Sequence, residues 1–234
     1  NLDTTRALLD ACRAAGTAPV FVFASSLAVF GTTPEQPLPP VITDTTLPTP
    51  QNSYGIQKFI GEQLVADYAR KGFIRGRSVR LMTVSVRPGK PNGAASGFFS
   101  GMIREPLAGL KAACPVPRET PVALASPATT VDGIIRAAEA TDREWGPLTA
   151  MNLPSLHTTV GEMADALERV AGKAATALLD WTPDPAIQKL VRTWPGNVAS
   201  ARANALGLQP DRDFETVVRD YIRENPGAVK LPLR

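Results

Sequence analysis

The sequence predicts an α/β fold built on a parallel sheet, and three observations carry that expectation. Pro19-Val20-Phe21-Val22-Phe23-Ala24-Ser25 is a short unbroken apolar run, the pattern of a strand buried on both faces. A second such run covers residues 79–86. Each run follows a segment with apolar residues at helical spacing. The order helix–strand–helix–strand is that of a parallel sheet with crossover helices.

Taken in order, Leu2, Leu8, Leu9 and Cys12 recur at helical spacing and Gly16 supplies a stop. The chain runs into this helix directly from Asn1-Leu2-Asp3 without an initiator methionine. It is read as a fragment whose upstream part is missing; a processed start is the alternative. After the first strand comes a long loop, residues 31–53, rich in proline and threonine. Six of the 22 prolines lie between Pro34 and Pro50 and leave little room for regular structure. Loops of this length in compact domains are often functional.

Residues 54–71 are helical in pattern, with Ile56, Phe59, Ile60, Leu64 and Tyr68 as the apolar stripe and Gly72 as the end. The second strand closes in a turn at Arg87-Pro88-Gly89-Lys90-Pro91-Asn92. A helix over residues 96–110 is expected to break near Pro106. Residues 129–141 read as a helix and 148–153 as a strand. Thr159-x-x-Glu162 is a capping-box pattern opening a helix that runs to Gly172. Residues 177–179 read as a short strand, and 185–192, 198–206 and 214–224 as helices. The expected division is residues 1–89 as part of a cofactor-binding domain. Residues 90–234 are then a smaller, more helical and mostly substrate-binding part, with some segments returning to the sheet.

Composition excludes several classes. With 234 residues, 44% hydrophobic and 20% charged, the chain is an ordinary globular one. No apolar run has the length to cross a bilayer, and no signal peptide stands at the start. Two cysteines, Cys12 and Cys114, make no disulfide framework, and the single His157 builds no histidine-rich metal site, so no metal is expected. The formal net charge is only +3, with Lys and Arg scattered among acids, which argues against nucleic acid as a partner. A cytoplasmic enzyme acting on a small molecule is what remains.

The strongest chemical signal is Tyr54-Gly55-Ile56-Gln57-Lys58. Positions i and i+4 share a helix face, so a phenol and an ammonium can point into one site. An adjacent cation favours the phenolate, which suits a tyrosine to general acid–base work. An ordinary helix face is the alternative. Ser25-Ser26 ends the first strand, at the carboxyl edge where open parallel sheets bind ligands. A hydroxyl there can donate to a reacting oxygen; local bonding to backbone is the alternative.

These residues carry a family resemblance. Phe23-Ala24-Ser25-Ser26-Leu27-Ala28-Val29-Phe30-Gly31 resembles the serine-bearing segment of the extended short-chain dehydrogenase/reductase family, with its Rossmann-like parallel sheet. Asp44-Thr45-Thr46-Leu47-Pro48, then Ser53-Tyr54-Gly55 with Lys58 and Glu62, continues that family's order and spacing. The resemblance implies Ser26 and Tyr54 as catalytic residues that also bind substrate. It implies Lys58 as a catalytic residue that binds the cofactor ribose alongside Tyr54, with NAD as the cofactor. Asn1 matches a supporting helix asparagine.

Val86-Arg87-Pro88-Gly89-Lys90-Pro91-Asn92, Ala94-Ala95-Ser96, Gly101 to Leu107 and Ser126-Pro127 resemble the sugar-acid dehydrogenases of that family. This implies oxidation of the C2 hydroxyl of a four-carbon, D-erythronate-like sugar acid to a 2-oxo acid. Such a substrate needs a cation for its carboxylate. Lys90 and Arg104 are the expected substrate-binding cations, with Arg118 a further candidate. His157 is expected in a loop, and Trp145, Trp181 and Trp194 as packing residues. The resemblance also implies a homodimer formed through the first helix and the Tyr54 helix.

The departures matter. The glycine-rich dinucleotide loop is not in this sequence, and with it goes the residue that would distinguish NAD from NADP. Phe30 stands where many relatives have Tyr. The Arg-x-x-Asn-x-x-Gly-Pro pattern of the nucleotide-sugar branch is not found after the second strand. A nucleotide-sugar epimerase or dehydratase, a non-catalytic NAD-binding scaffold, and a fragment without independent function stay open as alternatives.

Overall fold

The computed structural model describes residues 1–90 and 94–232. In chain order its elements begin with α1 (Leu2–Ala15), β1 (Val20–Ser26), a 3-10 turn (Leu27–Val29), α2 (Ser53–Arg70), β2 (Arg75–Leu81), β3 (Thr83–Val84) and α3 (Phe98–Leu107). They continue with β4 (Ala112–Ala113), β5 (Pro121–Ala125), α4 (Pro127–Glu139), α5 (Asp142–Trp145), β6 (Met151–Asn152), β7 (Leu156–Thr159) and α6 (Val160–Ala171). Last come α7 (Lys173–Thr176), β8 (Leu179–Asp180), α8 (Pro185–Val191), α9 (Ala201–Ala205) and α10 (Phe214–Glu224). No helix among the described residues is long and apolar enough to cross a membrane.

The chain divides into two compact units. One comprises Asn1–Met82, Ala128–Pro154 and Thr193–Gln209; the other comprises Thr83–Pro127, Ser155–Arg192 and Pro210–Arg234. The first holds a parallel sheet in the order β1-β2-β6. Leu9 of α1, Phe23 of β1, Val65 of α2 and Ile74 form one buried cluster on it. Val79, Ala137, Trp145, Met151, Leu153, Ala203 and Leu206 form another. Burial of such side chains contributes roughly 1.5–3 kcal/mol each.

In the second unit β5 pairs parallel with β3 and antiparallel with β7, and β4 pairs with β8. The capping box at Thr159 is present: its hydroxyl accepts from Glu162 N, and the Glu162 carboxylate accepts from Thr159 N. The bond from Thr159 N, with a second from the Thr158 hydroxyl, holds the Glu162 carboxyl below the usual glutamate range. Pro106 lies in the last turn of α3, so it ends the helix rather than breaking it. Pro91 and Asn92, in the expected turn, lie outside the described residues.

Several expectations are corrected. Within this chain, Val20, Phe21 and Val22 of β1 are half-buried and Ala24 is exposed, while Phe23 and Ser25 are buried. The strand expected over residues 79–86 starts earlier, at Arg75, and is interrupted at Met82. β2 hydrogen-bonds to β1 and β6, whereas β3 hydrogen-bonds to β5. Arg77 and Arg80, both buried, lie inside β2 and hid it from an apolar-run criterion. His157 is not in a loop; it stands in β7 opposite Ala123. The strands β5 and β7 were not expected.

The apolar stripe assigned to α2 holds only in part: Leu64 and Tyr68 pack against the cluster of Leu9, Phe23, Val65 and Ile74. Ile56 and Ile60 are exposed, and the buried positions are Gly55, Gly61, Glu62 and Val65. Close approach explains it. A Cβ on Gly55 would stand 2.0 Å from the Ala28 carbonyl oxygen, and one on Gly61 would stand 2.4 Å from the tip of the Phe23 ring. Glycine, not a large apolar residue, lets α2 reach the end of β1. Replacing Gly55 by Ala offers a helix gain of roughly 0.5–1 kcal/mol. The carbonyl it strikes is backbone and cannot swing aside, and such overpacking costs about 1–3 kcal/mol. Gly55→Ala is therefore expected to lower stability. It should do so by more than Gly16→Ala, where φ is +68° but a Cβ would meet nothing within 4 Å. Urea denaturation of the two variants checks the order.

Candidate active site

Tyr54, Lys58 and Ser26 all belong to the first unit. Asn52 caps α2, its side-chain oxygen accepting from Gly55 N at 2.8 Å, so the helix starts at Ser53 and Tyr54 sits in its first turn. One turn on, Lys58 Nζ stands 5.7 Å from the centroid of the Tyr54 ring and 5.1 Å from that of Phe23. It donates to the Ala24 carbonyl at 2.8 Å. Among the described residues that is its one hydrogen bond, and an ammonium has three protons to give. Burial lowers the Lys58 pKa from the ordinary lysine value. The Tyr54 ring is 47% exposed, and its hydroxyl has no hydrogen-bond partner among the described residues.

The two serines at the end of β1 separate cleanly. Ser25, 1% exposed, donates to the Glu62 carboxylate at 2.5 Å. Ser26 is half-buried and caps the 3-10 turn, where its Oγ accepts from Ala28 N at 3.2 Å. Its own hydroxyl proton remains available to an acceptor in the site. The close contact between Gly55 and Ala28 brings the start of α2 against this turn. Tyr54, Lys58 and Ser26 are thus gathered at the carboxyl end of β1.

The expected carboxylate-binding cations lie in the second unit. Lys90 is exposed. Arg104 is mostly buried; it donates to the Arg87 carbonyl at 2.9 Å and pairs with Glu105 at 2.5 Å, so it braces the turn leading to Lys90. Arg118 pairs with Asp165 and lies 5.1 Å from the Trp181 ring centroid. Trp145 is a packing residue, with the Arg77 and Arg202 guanidinium groups 5.3 and 5.2 Å from its ring centroid. Asn1 precedes α1, and its carbonyl accepts from the Thr5 hydroxyl.

Two structural roles escaped the sequence reading. Asp44 accepts from Asn152 N at 2.8 Å and Arg202 N at 3.3 Å, pinning the long loop to β6 and α9. Glu62 takes Arg80 Nε at 2.9 Å and Nη2 at 2.7 Å as well as Ser25. The available signal was a carboxylate one turn beyond Lys58, together with arginines inside a strand.

A parallel sheet whose carboxyl edge presents a tyrosine, a lysine and a serine has polar groups where open α/β sheets bind their ligands. Residues 1–122 match the model of the NAD dependent epimerase/dehydratase family. The chain is 47% identical over 230 residues to D-erythronate dehydrogenase of Cupriavidus necator, covering 98% of this chain and 69% of that one. It is 40% identical over 222 residues to D-erythronate dehydrogenase of Haemophilus influenzae, covering 95% and 69%. Among solved structures it is similar to the nucleoside-diphosphate-sugar epimerase of Agrobacterium tumefaciens, with a TM-score of 0.90 and 42% identity over 99% of this chain and 67% of that one. The chain belongs to the NAD dependent epimerase/dehydratase family, and within it is an oxidoreductase of the dehydrogenase kind.

The lowered Lys58 pKa carries a stability sign. The unfolded chain holds this proton more tightly than the folded one, so folding stability rises as pH climbs from the folded pKa toward the unfolded one. Below the folded pKa the desolvation cost is fully present. Lys58→Met removes that cost, and the variant is expected to melt no lower than the wild type at pH 7. The gap should narrow as alkaline pH discharges Lys58 in the wild type. Thermal unfolding of both proteins across that pH range checks it.

Proposed function

We propose that this chain carries the proton-transfer site of an NAD-dependent dehydrogenase that oxidises the C2 hydroxyl of a four-carbon, D-erythronate-like sugar acid to the 2-oxo acid. The observation that carries the reading is the Tyr54–Lys58 pair beside Ser26, whose proton is free to donate. The names of the two curated relatives supply the substrate class. The donor set suits a nicotinamide nucleotide: Lys58 keeps ammonium protons for ribose hydroxyls, and Tyr54 can share them. When bound, that cofactor supplies the hydride acceptor.

In this mechanism Ser26 donates to the substrate hydroxyl oxygen and fixes its direction. Tyr54, as phenolate, takes the hydroxyl proton while the C2 hydrogen leaves with its electron pair. The carbon–oxygen bond becomes a carbonyl. Lys58 holds the ribose and keeps a positive charge beside Tyr54. Lys90 and Arg104 are the proposed cations for the substrate carboxylate, and Arg104 also donates to the Arg87 carbonyl. In this reading residues 1–89 serve mainly the cofactor and residues 90–234 mainly the substrate, and the enzyme works in the cytoplasm. A nucleotide-sugar substrate is the second reading, favoured by the similarity to the Agrobacterium epimerase.

The test is reduced-nicotinamide formation by the full-length protein on four-carbon sugar acids, with nucleotide sugars run alongside. Tyr54→Phe is expected to lower kcat by roughly 100- to 10,000-fold, the range for a lost acid–base group, while leaving cofactor binding in place. Lys90→Ala is expected to raise KM for the sugar acid by roughly tenfold. Turnover of nucleotide sugars alone would overturn the substrate assignment.

We also propose a homodimer through α1 and α2. Leu8, Ile56 and Ile60 are 53%, 45% and 38% exposed, although these are large apolar side chains on neighbouring helices. Light scattering should give twice the chain mass for the wild type and the single mass for Ile56→Glu; a monomeric wild type would refute the dimer.

A further inference from the structure

We infer that the buried Ser25–Glu62–Arg80 network positions Ser26 and its turn against α2, and so acts on the reaction through a residue it does not itself contain. This rests on the proposed dehydrogenase reading of the same site.

The geometry is specific. Glu62 is 2% exposed, yet its carboxylate takes three hydrogen bonds: one from Ser25 Oγ and two from the Arg80 guanidinium. Ser25 and Arg80 are themselves paired across the sheet, partners in the register of β1 and β2. The Arg80 guanidinium carbon lies 4.8 Å from the centroid of the Phe30 ring, and Phe30 is the residue that ends the 3-10 turn. The network therefore touches the segment at Ser25, just before Ser26, and again at Phe30, just after Val29.

Its carboxylate comes from the helix that bears the catalytic pair. Lys58 and Glu62 are one turn apart on α2, and they grip consecutive residues of β1. Lys58 donates to the Ala24 carbonyl, and Glu62 accepts from the Ser25 hydroxyl. A charge-assisted contact within a buried site is short and directional. The buried Ser25–Glu62 grip and the exposed Lys58–Ala24 grip, on adjacent residues, fix the rotation of the strand end as well as its distance from the helix. A hydroxyl that must meet one substrate oxygen loses much of its effect when displaced by an ångström. None of the three network side chains is needed to touch substrate, so they are positioning residues.

Ser25→Ala removes only a hydroxyl and keeps the Arg80–Glu62 pair, so it should fold. Two readouts are taken on the full-length protein. The first is steady-state kinetics: kcat is expected to fall at least tenfold with KM for the sugar acid within twofold, at a temperature where circular dichroism finds the variant fully folded. The second is amide hydrogen exchange over residues 26–30, which needs no activity: exchange at Ala28 and Phe30 is expected to quicken at least tenfold, while the core of β2 keeps its protection. Glu62→Gln should give the same pattern more strongly. Unchanged exchange over 26–30 in Ser25→Ala overturns the inference whatever the chemistry. So does a kcat within twofold of wild type. If the wild type turns over no sugar acid, the dehydrogenase reading fails, and the exchange result alone decides whether the network holds the turn.

Discussion

Everything at this site depends on how closely α2 approaches the end of β1. The helix meets the strand through the Phe23–Val65 cluster, two glycines and a few polar grips. At Gly55 the helix backbone comes against the Ala28 carbonyl, at Gly61 it meets the tip of the Phe23 ring, and Lys58 and Glu62 reach across to Ala24 and Ser25. Large apolar residues at those positions would lift the helix off the sheet by the thickness of a side chain. Tyr54 would move with it. The glycines give up helix propensity, roughly 0.5–1 kcal/mol each, and the approach they allow is what brings a phenol and a serine hydroxyl to the same strand end.

That arrangement explains which parts of the fold the sequence could reveal. The Tyr54–Lys58 spacing, the Thr159–Glu162 box and the helix ends at Gly16 and Gly72 are local patterns, and local patterns survive folding. The face of α2 was read only in part: Leu64 and Tyr68 do pack inward, but its fully buried positions are glycines, Val65 and a paired glutamate, which a search for large apolar residues passes over. β2 was misplaced for a related reason. Its Arg77 and Arg80 are charged in sequence but neutralised in space. Arg77 pairs with Asp142 and Arg80 with Glu62, partners that no local window contains. The Tyr54–Lys58 pair was legible because its spacing is local to one helical turn; the residues that hold it were not, because their partners lie far along the chain.

The buried ion pair has an energetic logic of its own. Desolvating Arg80 and Glu62 offsets much of their attraction, so the pair is weak evidence for stability as such. Breaking it by removing one partner is another matter and costs about 3–5 kcal/mol, since a lone charge is left in the core. A contact with that asymmetry tolerates little drift. It adds small net stability and strongly penalises any geometry in which the groups part, which is what a site requiring fixed angles needs. Apolar packing at the same place would favour proximity without direction.

The two adjacent serines show how a strand divides labour. Successive residues of a strand point to opposite faces, so neighbours of identical chemistry enter different environments. Ser25 turns inward and gives its proton to Glu62; Ser26 turns to the capping position of the following turn, where its oxygen accepts from Ala28 N. A hydroxyl has one proton. Ser25 has spent its proton on the frame, whereas Ser26 has used a lone pair and kept its proton. The role proposed for Ser26 rather than Ser25 accords with the side of the pleat each occupies and with the half of its hydrogen-bonding capacity left unused.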